Sequence, residues 1–276
     1  MGAEGVFFTV FTKPWKMPLE QLAAFVRKLG FDGVELPVRP GYQVEPAAVA
    51  GGLAEAVKVM ADYGLRIASI AGPTDEPTIE ACAAAGVPII RICVQIDPAA
   101  GYLAEERRLQ REYGALVPIL DRCGVTVGIQ NHCDFFVPHA MAIRSLIGRY
   151  DRRHFAAVWD PAHCALNGEM PQLAADIVWD HLCMVNLKNA IWRRKEEGGA
   201  TLRVASEAQA TQGVAATWEH YWTAGREGFC HWPTVVHELR KRNYRGPVCL
   251  TAEYSDHAAT DRLIAEDLAF AKSLWA

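Results

Sequence analysis

Two neighbouring pieces of the sequence, VTVGIQNH (125–132) and FAAVWDPAH (155–163), decide the fold of this chain. Each piece is a short apolar, β-branched run that stops abruptly at polar residues, and a helix-length segment separates them. Short apolar runs that alternate with helical segments are typical of βαβ units in a parallel sheet. If further strands end in this way, their polar ends converge on one face, which carries the active site in a closed parallel barrel.

The same alternation of strand and helix patterns runs through the chain of 276 residues. Eight strand patterns occur, each followed by a helical pattern, at residues 6–11, 33–37, 66–72, 88–94, 125–130, 155–160, 181–188 and 247–253. This order predicts an α/β fold of one domain over residues 1–276, a single (β/α)8 TIM barrel. A doubly wound open sheet is the alternative, but no GxGxxG motif follows the first strand.

Residues 190–228 interrupt this alternation. They mix charged residues, glycine and alanine, and they contain a cluster of Trp218, His220, Tyr221 and Trp222. We predict a long, partly helical insertion after the seventh barrel strand that acts as a lid. The aromatic cluster is typical of a packed core or a subunit contact, and a stacking surface for a sugar is the alternative.

Composition argues against several classes of function. The formal charge of −4 gives no basic footprint for nucleic acid, and no apolar run is long enough for a membrane span. The N-terminal stretch MGAEGVFFTVFTKPWK has neither the basic segment nor the cleavage site of a signal peptide, so we interpret it as a first strand. The eight cysteines form no CxxC pair, which predicts reduced thiols in a cytoplasmic protein.

The polar residues that end the predicted strands form a candidate site. In a barrel their side chains converge at the mouth; they are Glu35, Gln95, Gln130, Asp160, Asn186, Lys188 and Glu253. The residues at the ends of strands five to eight offer oxygen to a hard divalent cation, which makes a plausible metal site: Gln130, Asp160, Asn186 and Glu253.

Five pieces of the sequence occur in a recognisable order: GFDGVEL (30–36), GVTVGIQNH (124–132), WDPAH (159–163), VNLKN (185–189) and the run at 225–256. With these pieces the chain resembles, over essentially its whole length, the xylose isomerase-like TIM-barrel superfamily of sugar phosphate isomerases/epimerases. That group includes ketose 3-epimerases, hydroxypyruvate isomerase, inosose dehydratase and dehydroshikimate dehydratase. The resemblance implies a TIM barrel that acts on a carbohydrate with one divalent cation.

Two positions depart from the metal ligands that the resemblance implies. In the family a Glu, an Asp, a His and a Glu end strands five to eight and hold the cation. By position the Asp is Asp160 and the last Glu is Glu253, whereas Gln130 replaces the first Glu and Asn186 replaces the His. Our first interpretation is a weakened Mn²⁺ or Mg²⁺ site, and a metal-free site is the alternative.

The amide at Gln130 also restricts the proton chemistry. In the ketose epimerases the glutamates of strands five and eight work as a pair, one removing a proton from carbon and the other returning it. A primary amide cannot accept a proton near neutral pH. We therefore predict Glu253 as a single base, with His132 and His163 as the other catalytic residues, because imidazole titrates near working pH.

Three further strand-end residues are predicted to bind substrate: Glu35, Gln95 and Lys188. The predicted function is a sugar isomerase/epimerase-like enzyme that removes a proton next to the carbonyl of a keto-sugar, cyclitol or related polyol acid, assisted by a divalent metal. The alternatives are a lyase or dehydratase of the same family and a metal-free barrel that binds a sugar or supports a partner. We expect a small carbohydrate as the partner, without nucleic acid or membrane, and the resemblance implies a homo-oligomer.

Overall fold

The computed structural model describes residues 6–194 and 218–276, and eight parallel strands of this part close into a barrel. The barrel strands are β1 (Phe7–Phe11), β2 (Gly33–Pro37), β3 (Arg66–Ala71), β4 (Ile89–Cys93), β5 (Thr126–Gln130), β6 (Phe155–Trp159), β7 (Leu182–Leu187) and β10 (Pro247–Leu250). Each pairs with the next barrel strand along the chain, and β1 pairs with β10 to close the ring. The predicted (β/α)8 barrel is confirmed.

Helices between the strands surround the barrel. They are α1 (Leu19–Leu29), α2 (Val49–Asp62), α3 (Glu76–Ala85), α4 (Tyr102–Cys123), α5 (Ala140–Ile147), α6 (Pro161–Leu166), α7 (Pro171–Val178), α8 (Trp232–Lys241) and α9 (Thr260–Trp275). Helix α6 is absent from the sequence prediction, because it is short and carries no periodic apolar pattern of its own. It begins directly after Asp160, whose Oδ1 accepts hydrogen bonds from the backbone N–H groups of Ala162 and His163. None of the helices in the two described ranges is long and apolar enough to cross a membrane.

The core lies mainly between the strands and the helices, where apolar side chains of both layers form one large cluster. A second, small cluster fills the inside of the barrel with Phe11, Ala71, Val158, Met184 and Cys249. Because few apolar side chains point inward near the mouth, the upper part of the barrel interior is left to polar and charged groups.

Between β7 and β10 the chain leaves the barrel in an antiparallel ribbon of two strands, β8 (Asn189–Arg194) and β9 (Trp218–Thr223). The structure therefore corrects the prediction of a partly helical insertion over 190–228 for these two arms, which are strands. Aromatic residues favour extended backbone, and those of β9 lie opposite residues of β8, for example His220 opposite Trp192. Residues 195–217 lie outside the described residues.

Hydrogen bonds fix the base of this ribbon to the barrel. The side chain of Asn189 donates to the backbone oxygens of Gly225 at 3.0 Å and Cys230 at 2.8 Å, and it accepts from the Cys230 N–H at 2.9 Å. The Gly225 N–H donates to Asp267 at 2.7 Å, and burial raises the pKa of that carboxyl to about 6. These bonds hold the aromatic side of the ribbon beside the mouth of the barrel.

Candidate active site

A cavity of about 120 Å³ opens at the C-terminal ends of the barrel strands. Its charged lining residues are Lys13, Arg39, Arg91, Lys188 and Glu253. Hollows of about 690 Å³ and 460 Å³ lie elsewhere on the described surface, but neither is lined by a residue predicted for the site. The mouth cavity is therefore the candidate active site, in agreement with the usual location in this fold.

Lys188 lies at the centre of the predicted metal site. Its Nζ is 2.6 Å from Glu253 Oε2 and 3.5 Å from Asp160 Oδ2, and its side chain is 4% exposed. The same nitrogen lies 4.3 Å from the centre of the Trp222 ring, which contributes a cation–π contact. Burial lowers the pKa of Lys188, but the two carboxylates outweigh burial and raise it. One fixed ammonium group thus bridges the two carboxylates that were predicted as metal ligands.

Glu253 is held from two sides by lysines. Lys13 Nζ donates to Oε1 at 3.1 Å, while Lys188 binds Oε2. Burial raises the pKa of Glu253, but the two ammonium charges outweigh burial and keep that pKa well below its usual range. A carboxylate that binds a proton so weakly is a poor base. The geometry therefore gives Glu253 a stronger role as the partner of Lys188 than as the predicted proton acceptor.

Gln130 presents an N–H group, not its oxygen, to Asp160. Its Nε2 donates to Asp160 Oδ2 at 2.8 Å, and its Oε1 accepts from the Cys93 thiol at 3.4 Å. Asn131 fixes the Asp160 backbone from both sides, with bonds of 2.8 Å to the N–H and to the carbonyl oxygen. Burial raises the pKa of Asp160, and the charge of Lys188 opposes that shift. The amide at position 130 therefore ties Asp160 in place by donating to it.

The four predicted ligands do not fit a divalent cation in this arrangement. Both carboxylates already accept from N–H donors, and a dication would meet the charge of Lys188 at short range. Asn186 is fully buried, and neither its oxygen nor its nitrogen has a hydrogen-bond partner among the described residues. Asn186 does not line the cavity. A water could pair with both atoms, whereas a cation would pair only with the oxygen.

The described residues do contain side chains that could share a metal ion, but beside the mouth. The two sets are His132, Cys133 and His163, and Cys133, Asp134 and His220. Neither set includes Asp160 or Glu253. Burial raises the pKa of the Cys133 thiol to about 12, which disfavours the thiolate form that metals bind.

The rings of His132 and His163 are in contact at the edge of the cavity, with centres 3.9 Å apart and planes tilted by 34°. His132 Nδ1 lies 2.8 Å from the Cys133 carbonyl oxygen, to which it donates, so Nε2 carries the lone pair in the neutral ring. His163 is fully buried, and its Nδ1 accepts from the Cys133 N–H at 3.1 Å. Burial lowers the pKa of both rings, that of His163 well below its ordinary value. Only His132 lines the cavity, and the buried His163 ring packs against it.

Two residues predicted to bind substrate, Glu35 and Gln95, do not line the cavity. Glu35 is fully buried within the barrel and holds Arg91 by two bonds, Nε to Oε1 at 3.0 Å and Nη2 to Oε2 at 2.7 Å. Ser69 also donates to Glu35 Oε1 at 3.1 Å. Gln95 is exposed, and its backbone forms a bridge to Phe136. Lys188, the third of these predicted residues, does line the cavity.

Sequence reasoning missed the other cations of the cavity, which are Lys13, Arg39 and Arg91. A signal for them existed: Arg91 interrupts the apolar run PIIRICV, while Lys13 and Arg39 follow shortly after the first and second strands. These cations are not oxygen ligands, so a pattern of metal ligands at strand ends does not indicate them.

A family model described as "Xylose isomerase-like TIM barrel" matches residues 23–274. The chain belongs to this family. The resemblance predicted from the sequence is thereby confirmed. A comparison with curated protein sequences finds no match.

Solved structures of this xylose isomerase-like fold cover nearly the whole chain. D-psicose 3-epimerase from Clostridium cellulolyticum H10 is 13% identical, with 98% of this chain and 99% of that chain covered and a TM-score of 0.70. The 3-keto-D-glucoside 4-epimerase YcjR from E. coli is 14% identical, with coverages of 97% and 99% and a TM-score of 0.67. The probable 3-DHS dehydratase AsbF from Bacillus anthracis is 16% identical, with coverages of 97% and 99% and a TM-score of 0.68. At these identities the likeness shows the fold alone.

Proposed function

We propose that this xylose isomerase-like barrel is an enzyme that isomerises a carbonyl-bearing polyol by moving a proton on the carbon next to the carbonyl. The substrate class is a keto-sugar, a cyclitol ketone or a related polyol acid. The observation that supports this proposal best is one small polar cavity that brings together an available imidazole nitrogen on His132 and a fixed ammonium group on Lys188.

His132 is suited to remove the proton. Its Nδ1 is committed to the Cys133 carbonyl, and its Nε2 has no hydrogen-bond partner among the described residues. Because burial lowers the pKa of the ring, the neutral form that accepts a proton dominates at neutral pH. The proton taken by Nε2 returns to the former carbonyl carbon, and the hydroxyl proton moves to the former carbonyl oxygen. The carbonyl and hydroxyl positions thus exchange and no atom is lost.

Lys188 is suited to stabilise the charge that develops on the substrate oxygen. When a proton leaves the carbon next to a carbonyl, negative charge moves onto that oxygen. A positive charge that is already fixed in a buried site stabilises the charge without reorganisation. Glu253 and Asp160 hold the ammonium group in position.

Dehydration is the second candidate reaction, because it begins with the same proton transfer. After that step a hydroxyl on the next carbon leaves as water instead of the proton returning. The proton that His132 has taken from the carbon leaves with that hydroxyl, so the step needs no other proton donor. Epimerisation by two carboxylates is disfavoured, because Gln130 cannot act as a base and donates its N–H group to Asp160.

The proposed proton transfer is testable without knowledge of the product. The protein is incubated in D₂O with a panel of ketoses, cyclitol ketones and keto-polyol acids, and carbon-bound hydrogen is followed by proton NMR. We expect at least one substrate class to exchange hydrogen for deuterium next to the carbonyl. Loss of water from the same substrate would assign the dehydratase reaction.

The panel is run in parallel with the His237→Gln variant, whose exposed ring lies on α8 away from the cavity and should leave exchange unchanged. Absence of both exchange and water loss across the panel would contradict the enzyme proposal. A ligand that binds without reacting would then favour the sugar-binding alternative.

A further inference from the structure

Arg39 is a cation of the cavity that has no acidic partner in the described part of the chain. Its side chain lines the cavity, and no carboxylate among the described residues lies within ion-pair distance of it. The guanidinium carbon lies 5.7 Å from the centre of the Phe11 ring, which supports the group from one side. The planar donors are therefore available to a ligand.

The other three cations of the cavity are compensated. Lys188 and Lys13 pair with Glu253, and Lys188 also lies near Asp160. Arg91 is paired with Glu35 by two hydrogen bonds. The cavity and its immediate partners thus hold four cations against three carboxylates, and the excess positive charge belongs to Arg39.

Thr251 provides a second, independent observation. It lines the same cavity, is only 2% exposed, and its hydroxyl has no hydrogen-bond partner among the described residues. A buried hydroxyl without a partner is costly. The cost is removed when a ligand that accepts a hydrogen bond enters the cavity.

We propose that Arg39 and Thr251 form a subsite for a carboxylate of the substrate, so that the enzyme acts on a sugar acid. The inference rests on the proposed function, and it selects the polyol acid among the proposed substrate classes. An arginine guanidinium binds a carboxylate through two parallel N–H bonds. The single excess positive charge of the cavity equals the charge of one carboxylate. A phosphate monoester carries about −1.5 to −2 near neutral pH, so it would leave negative charge uncompensated.

Binding of stable sugar acids tests this subsite. Aldonates, the alditols with the same carbon chains, and the corresponding sugar phosphates are titrated into the protein by calorimetry. We expect aldonates to bind about 10- to 100-fold more tightly than alditols, a difference of about 1.4–2.7 kcal/mol that is typical of hydrogen bonds to a charged group. The Arg39→Met variant should lose this preference without losing alditol binding, and Arg39→Lys should keep part of it.

Arg27→Met, at an exposed position on α1, is the matched control and should bind like the wild type. Four results would overturn the subsite. Aldonates could bind no better than alditols or not at all, sugar phosphates could bind more tightly than aldonates, or Arg39→Met could keep the wild-type preference. Preferential aldonate binding without deuterium exchange of any substrate would leave the subsite standing and contradict the proposed function, so the two failures are distinguishable.

Discussion

The His132→Gln variant is expected to lower the rate of deuterium exchange next to the substrate carbonyl by about 100- to 10,000-fold, the usual contribution of a general base. Glutamine keeps a polar side chain at the edge of the cavity but cannot accept a proton. Because His132 supplies the lone pair and does not anchor the substrate, kcat should fall while KM stays close to that of the wild type.

Glu253 is the competing candidate for this base, and the comparison with Glu253→Gln separates the two. If His132 removes the proton, Glu253→Gln should lose less activity than His132→Gln, because it disturbs the placement of Lys188 and Lys13 and leaves the base intact. Near-normal exchange in His132→Gln together with complete loss in Glu253→Gln would assign the proton transfer to Glu253 and reject our assignment.

Loss of the ammonium group in Lys188→Met should lower the exchange rate by about 100- to 1,000-fold, the range found when one preorganised donor to a developing oxyanion is removed. Methionine fills similar space and keeps apolar contact with Trp222, so the cavity should keep its shape. The reduction should appear mainly in kcat, because the negative charge develops only during the reaction.

The Lys188→Met variant also leaves Asp160 and Glu253 without their shared cation, so stability must be measured alongside activity. Urea unfolding of the wild type, Lys188→Met and the exposed Lys28→Met control separates an unfolded variant from an inactive one. A folded Lys188→Met protein that exchanges hydrogen at the wild-type rate would show that the ammonium group has no role in the reaction.

The barrel could be predicted from the sequence because its strands carry a local signal. Apolar, β-branched runs such as 125–130 and 155–160 stop at polar residues, and the folded chain places these ends at one mouth. Their positions at strand ends likewise predicted that Gln130, Asp160 and Glu253 lie together at the candidate site. Helix α6 and the ribbon were less predictable, because one is very short and the other depends on pairing between segments far apart in sequence.

The electrostatic arrangement of the site could not be predicted in the same way. Lys188 and Glu253 are 65 positions apart, and Glu35 and Arg91 are 56 apart. Whether a lysine after a strand points to solvent or bridges two carboxylates depends on side chains that only the closed barrel brings together. Likewise, the end of the Gln130 amide that faces Asp160 depends on the Cys93 thiol, which donates to the amide oxygen, and the sequence pattern does not indicate this contact.

The Lys188 ammonium group bridges the two carboxylates that were predicted to hold a divalent cation, and we expect it to exclude that cation. Calorimetric titration of Mn²⁺ into the metal-stripped wild-type protein tests this expectation. The comparison is a Gln130→Glu/Asn186→His/Lys188→Ala variant, which restores the ligand types that the resemblance to the family implies. We predict no Mn²⁺ binding at the Asp160–Glu253 position of the wild type and about one bound ion in the variant. One Mn²⁺ bound by the wild type and lost in Asp160→Asn would contradict the account and support the metal site expected from the sequence.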